Sequence, residues 1–191
     1  MPLAAQLLGS KTASDAAEAI NFLVVAHQFG VEGVNTGIRK MLALIWSKES
    51  SIKNAVLAAY RALFFTPDTE VHTTPKDKHG FVVRNLMHLT AGATLGDLKC
   101  MEELVNTMMQ EKAISPHVTK MLWDIFAQKH DAPNVEHSRR VVVVLGMMAR
   151  ADDAIVKEHV GLLVSVGLGE AGVVCYGRES WDGNGNSKGT R

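Results

Sequence analysis

Apolar residues recur along most of this chain with the period of a helix. Between Ser14 and Phe29, Ala16, Ile20, Leu23, Val24 and His27 fall on one face, and Gly30 ends the run. Thr12 and Asp15 have the spacing of a capping box, and Gly30 suits the left-handed position just past a helix end. After a short link, Val34, Ile38, Met41, Leu42 and Ile45 form a second stripe ending near Trp46, so the two helices fold back as a hairpin. A third helix, with Ser50 or Ser51 as N-cap, carries Ile52, Ala55, Val56, Ala59 and Leu63, has Tyr60 on its flank and stops at Thr66-Pro67.

Residues Thr66 to Gly80 show no apolar period and read as the longest loop. Helical signal returns with Phe81, Val82, Leu86 and Leu89. A fifth helix spans Thr94 to Gln110, with Thr94 and Asp97 at capping-box spacing and Leu98, Met101, Val105 and Met108 on one face. Ser115 as cap and Pro116 at the first helical position open a sixth, with Val118, Leu122, Ile125 and Phe126. A seventh, Glu136 to Ala149, contains the run Val141 to Leu145, which alone would also suit a buried strand. It continues through Gly146-Met147-Met148-Ala149 without hairpin-turn residues, which favours helix. An eighth begins near Asp152 and carries Ile155, Val156, His159, Val160, Leu163 and Val166.

Grouped as hairpins, the first members start near Ser14, Ser51, Leu95 and Ser138, a spacing of roughly 37 to 44 residues against the about 40 to 47 of HEAT and armadillo arrays. One hairpin cannot bury its apolar face alone, whereas stacked neighbours can. The expectation is an all-α chain: an α-solenoid of HEAT-type helical hairpins, about four pairs, over residues 1–168, ending in a Gly/Asn-rich tail at 169–191 expected to be disordered. The opening apolar residues lack the polar face of a terminal cap, so the array reads as an internal piece of a longer solenoid.

Composition narrows the function. The chain has 191 residues, 47% of them hydrophobic, enough for a real core. Twenty Lys and Arg balance twenty Asp and Glu, so nucleic acid or an anionic membrane would have to meet a local patch. Such a candidate exists in Arg39, Lys40, Lys48, Lys53 and Arg61, which read first as a solvated helix face and second as a surface for phosphates or an acidic partner. Cys100 and Cys175 stand apart, which suits a reducing compartment with Cys100 as a small core residue. The start lacks the basic region and apolar length of a signal peptide or membrane anchor.

Motifs for chemistry fail on context. Gly167, Gly169 and Gly172 spell G-x-G-x-x-G, but the strand before, the helix after and the later acidic residue of a dinucleotide fold are missing. Asp182, Asn184 and Asn186 imitate a calcium loop whose sixth position is Ser187 rather than glycine. The eight histidines have no zinc spacing, and His27 and His159 read as half-buried helix-face residues; Trp46 reads as core packing. No catalytic set, cofactor, metal or small-molecule substrate is indicated, and the chain is expected not to be an enzyme.

The stretch Gly30-Val31-Glu32-Gly33, followed by Gly37 to Glu49 (Gly-Ile-Arg-Lys-Met-Leu-Ala-Leu-Ile-Trp-Ser-Lys-Glu), resembles the central HEAT region of the larger HEAT-repeat non-SMC subunit of condensin. Ser10 to Ile20, Ala55 to Leu63 with Ala59-Tyr60-Arg61, and Leu145-Gly146-Met147-Met148-Ala149-Arg150 agree with it in the same order, so the likeness spans about Leu3 to Leu168. The resemblance implies a scaffold that binds the kleisin and SMC subunits, meets chromatin and DNA through the complex, and works in mitotic chromosome condensation, in the nucleus and on chromosomes, with the cytoplasm also permitted outside mitosis. A generic HEAT or armadillo adaptor for transport or signalling is the alternative that fold alone would permit.

Overall fold

The computed structural model describes residues 2–10, 12–127 and 135–168, and among them there are helices and no strand. The helices are α1 (Pro2–Leu7), α2 (Ala13–Gln28), α3 (Val34–Met41), α4 (Ser50–Tyr60), α5 (Pro75–Thr90), α6 (Leu95–Gln110), α7 (Pro116–Phe126), α8 (Val135–Ala151), α9 (Ala154–Lys157) and α10 (Val160–Leu162). A 3₁₀ turn, Leu42–Trp46, prolongs α3, and wide π turns prolong α4 (Arg61–Phe65) and α10 (Leu163–Leu168). The run Val141 to Leu145 is helical, and the fold is the all-α array of HEAT-type hairpins that the periodicity predicts.

Several helix ends follow their sequence signals. Gly30 takes φ +65°, its amide donates to His27 O at 3.0 Å, and that of Val31 reaches Ala26 O at 2.9 Å, closing α2 with a Schellman motif. At α6 the capping box forms: Asp97 N donates to Thr94 Oγ1 at 3.2 Å, and Thr94 N donates to Asp97 Oδ2 at 2.9 Å.

Other ends depart from expectation. At α2 the capping box does not form, because the Asp15 carboxylate accepts from the hydroxyls of Thr12 and Ser10 instead of a backbone amide. Helix α4 starts at Ser50 with Glu49 in the N-cap position, so neither Ser50 nor Ser51 caps it. Ser115 holds the cap position of α7, yet its buried hydroxyl finds no partner; Pro116 sits at the first position as predicted. The loop expected to reach Gly80 ends at Thr74. There Thr74 Oγ1 accepts from Asp77 N at 3.1 Å, Pro75 opens α5, and the first turn is polar and so invisible to an apolar pattern. The eighth helix is broken into α9, α10 and a π turn, since His159 (φ −120°, ψ 15°) leaves the helical region. Tyr60 is no flank residue but one of the most buried side chains, whereas Trp46 is 59% exposed rather than core. Cys100 is half-buried against the core, and His27 and His159 are half-buried as expected. The tail at 169–191, with Cys175 and the glycine and calcium-loop motifs, lies outside the described residues except for Gly167.

Helices two apart in the chain stack on each other: α1 on α3, α2 on α4, α5 on α7 and α6 on α8. Contacts of α2 with α3 and of α7 with α8 close hairpins between the two tiers, the arrangement that lets each hairpin bury the face it cannot bury alone. One continuous core results, with Ile20, Leu23, Met41, Leu86, Met108, Leu122 and Met148 fully enclosed.

The alternation is interrupted between α4 and α5, and there the two halves meet through the 3₁₀ turn packed on α6 and the first π turn packed on α5. The 3₁₀ turn releases a carbonyl from the regular ladder, and the π turn ends on one that the helix leaves unpaired. Leu42 N bonds back to Arg39 rather than Ile38, and Tyr60 Oη donates to the freed Ile38 O at 2.7 Å. Asn85 Nδ2 likewise donates to Phe64 O at 3.2 Å. Buried carbonyls left without donors would each cost about 1 to 3 kcal/mol, so these side chains make the irregular turns tolerable.

Candidate functional site

The basic residues singled out from the sequence do not form one free patch. Arg39 donates through its two terminal guanidinium nitrogens to Gly92 O at 2.8 Å and Ala91 O at 2.9 Å, the carbonyls that end α5. Lys53 pairs with Glu103 of α6 at 3.1 Å, and Arg61 pairs with Glu111 just beyond α6. Three of the five therefore fasten the first half of the array to the second. Lys40 and Lys48 are exposed and have no ion pair or hydrogen bond among the described residues.

A polar cleft lies at the same junction, lined by His27, Arg39, Tyr60, His88 and Asp97 with apolar neighbours. Burial, and then the proximity of His88, hold the His27 imidazole below its ordinary pKa. Burial, reinforced by Asp97 and Cys100 and opposed by Arg39, pushes the Tyr60 phenol far above the usual value.

A second concave surface runs along α6. Its apolar end is walled by Leu95, Leu98 and, from α8, Val143 and Met147. Its other end is walled by Trp46, Glu103, Asn106 and Arg150. Lys99 and Glu102 border both ends and join them. Glu102 accepts from Lys99 at 3.2 Å and also from Arg150. Leu95 is 77% exposed and, with Trp46, offers apolar surface at both ends of the groove.

None of the residues singled out from the sequence as a partner surface lines this groove, although a signal for it existed. On α8, Val143, Gly146, Met147 and Arg150 form a second helical stripe beside the core stripe of Val141, Val144, Leu145 and Met148. On α6, Leu95, Leu98, Lys99, Glu102 and Asn106 do the same. A helix apolar on more than one face has more than one neighbour to meet. The stretches 37–49 and 145–150, which carry the resemblance noted above, meet at one end of the groove, where Trp46 and Arg150 line the same wall. Among the described residues no group of three or more His, Cys, Asp or Glu is placed to hold a metal ion, and no helix is long and apolar enough to cross a membrane.

Stacked hairpins with surface grooves define the chain as a HEAT-type helical array. No family model matches the sequence. It is, however, 41% identical over 153 residues to condensin complex subunit 1 of Xenopus laevis, covering 80% of this chain and 11% of that protein. The human condensin complex subunit 1 is 36% identical over 165 residues, covering 86% and 12%, and that of Saccharomyces cerevisiae is 31% identical over 192 residues, covering 90% and 16%. Over 80–90% of its own length the chain is thus similar to condensin complex subunit 1, and it spans between 11% and 16% of the length of these relatives.

Proposed function

We propose that this segment is a non-catalytic scaffold section of a condensin HEAT-repeat subunit, acting in mitotic chromosome condensation by holding kleisin and SMC subunits. The observation that carries this reading is the likeness to condensin complex subunit 1 over 80–90% of the chain, in animals and a fungus, laid on a stack of hairpins that shares one core. Stacked hairpins present long surfaces suited to an extended partner chain. In this reading residues 1–168 are the array and 169–191 a separate glycine- and asparagine-rich tail. The segment works in the nucleus and on chromosomes, with a cytoplasmic pool outside mitosis, and it meets DNA through the complex. It needs no cofactor, and chemistry is supplied by other subunits. Arg39, Lys53 and Arg61 serve the fold in this picture, leaving Lys40 and Lys48 as the basic residues free to meet a partner.

The test is co-immunoprecipitation of the full-length parent with a kleisin from mitotic cells. Recovery of the kleisin supports the reading. Its absence, with the parent folded and expressed, would replace it by a generic HEAT or armadillo adaptor in transport or signalling.

A further inference from the structure

Gly146 sits within α8, where a glycine costs about 0.5 to 1 kcal/mol relative to alanine. A Cβ built there meets nothing within 4 Å, so no close packing among the described residues calls for the missing side chain. The glycine instead lowers the wall of the α6 groove at its middle, opposite Lys99 and Glu102. This is the shape expected where a second chain comes close to a helix.

The charges say what kind of chain. The groove is lined by Lys99, Arg150, Glu102 and Glu103; Lys99 and Arg150 share Glu102, while Glu103 is already paired with Lys53 from outside the groove, which leaves one cation in excess. The side chains of Lys99 and Arg150 are 61% and 64% exposed, which leaves donor capacity for a further anion. A DNA backbone would bring a phosphate at every step against Glu102 and Glu103, whereas a peptide can place one carboxylate between apolar residues. The apolar end at Leu95, Val143 and Met147 and the exposed Trp46 ring at the other end suit such residues, with Trp46 as the anchor.

We propose that the groove along α6, from Leu95 to Trp46, binds an acidic peptide segment of a partner protein, its carboxylate on Lys99 and Arg150 and its apolar side chains on either side. The proposal deepens the scaffold reading by naming the face and the chemistry of the bound segment.

The experiment measures binding of fluorescent peptides tiled from the kleisin and SMC subunits, with unrelated peptides of matched acidic and apolar composition beside them, and a DNA duplex as competitor. Peptides with a carboxylate between apolar residues should bind, and Lys99→Glu with Arg150→Glu should weaken them about tenfold or more. Gly146→Leu should abolish binding while leaving the protein folded and at least as thermally stable, which separates a blocked groove from a damaged fold. Binding of basic peptides only, displacement by the duplex, or affinities indifferent to all three substitutions would overturn the proposal. If only the unrelated acidic peptides bind, the groove stands and the condensin assignment of its partner falls. If the kleisin co-precipitates with the parent whether or not Gly146 is replaced, the scaffold reading stands and the groove falls.

Discussion

Replacing Tyr60 with Phe removes one hydroxyl and almost no volume, so its effect isolates the bond to Ile38 O. That carbonyl is freed by the change from α to 3₁₀ geometry, Tyr60 is 1% exposed, and the bond is 2.7 Å long. Leaving a buried carbonyl without a donor costs about 1 to 3 kcal/mol, and about 2 to 4 °C of melting temperature follows per kcal/mol in a chain of this size. Urea denaturation of Tyr60→Phe at neutral pH should show the loss with an unchanged slope. Alkaline titration supplies a second arm. Burial foremost, then Asp97 and Cys100, keep the folded phenol protonated well above pH 10, while the unfolded one ionises near that value. Above about pH 10 the unfolded state therefore binds fewer protons, and this group's contribution falls by about 1.4 kcal/mol per pH unit. The Phe variant lacks that decline, so the two stability curves should converge as pH rises. An unchanged denaturation midpoint at neutral pH, or parallel curves above pH 10, would refute the account.

Leu122→Ala, at a fully enclosed position of α7, is expected to lower stability by about 2 to 5 kcal/mol in a thermal melt, the transfer loss plus the cavity left behind. Lys112→Gly should raise it by roughly 0.5 to 1 kcal/mol, because Lys112 closes α6 at φ 56° and glycine adopts that conformation without strain. His27 is held below its ordinary pKa, so its contribution is present above about pH 6.5 and lost as pH falls through the lower folded value; His27→Gln should flatten melting temperature over that range. Lys40→Glu with Lys48→Glu should leave the melt unchanged, and the weak duplex binding expected of this neutral chain should keep its salt dependence; a fall of the salt slope by about two would show that the pair meets phosphates.

Helices with one apolar stripe were legible because burial on one side writes itself into the sequence, as in α2 with Ile20 and Leu23 or α7 with Leu122 and Phe126. The start of α5 was not, since Lys76 and Asp77 face water and only the Thr74-Pro75-Asp77 cap betrays it. Capping motifs proved ambiguous for a local reason: Asp15 had two hydroxyls within reach and took them in place of the backbone. The basic residues could not be sorted from sequence, because the groups that engage Arg39, Lys53 and Arg61 lie about fifty positions away and only the fold brings them together. Trp46 was misplaced because the last turn of its helix tightens to 3₁₀ geometry, which shifts the face a side chain occupies.

The junction between α4 and α5 also has a mechanical meaning. Here as elsewhere neighbouring hairpins adhere through interlocked apolar side chains, which lose their attraction within a fraction of an ångström of separation and so behave as stiff, brittle joints. At the junction the long stems of Arg39, Lys53 and Arg61 also reach across to the linker before α6, to α6 and to Glu111 just beyond it, and partly exposed charged contacts of this kind are individually weak but keep pulling over several ångströms. Under tension along the array these tethers would go on holding after the apolar contacts beside them had parted, and salt, by shortening the range of charge attraction, would weaken that residual hold.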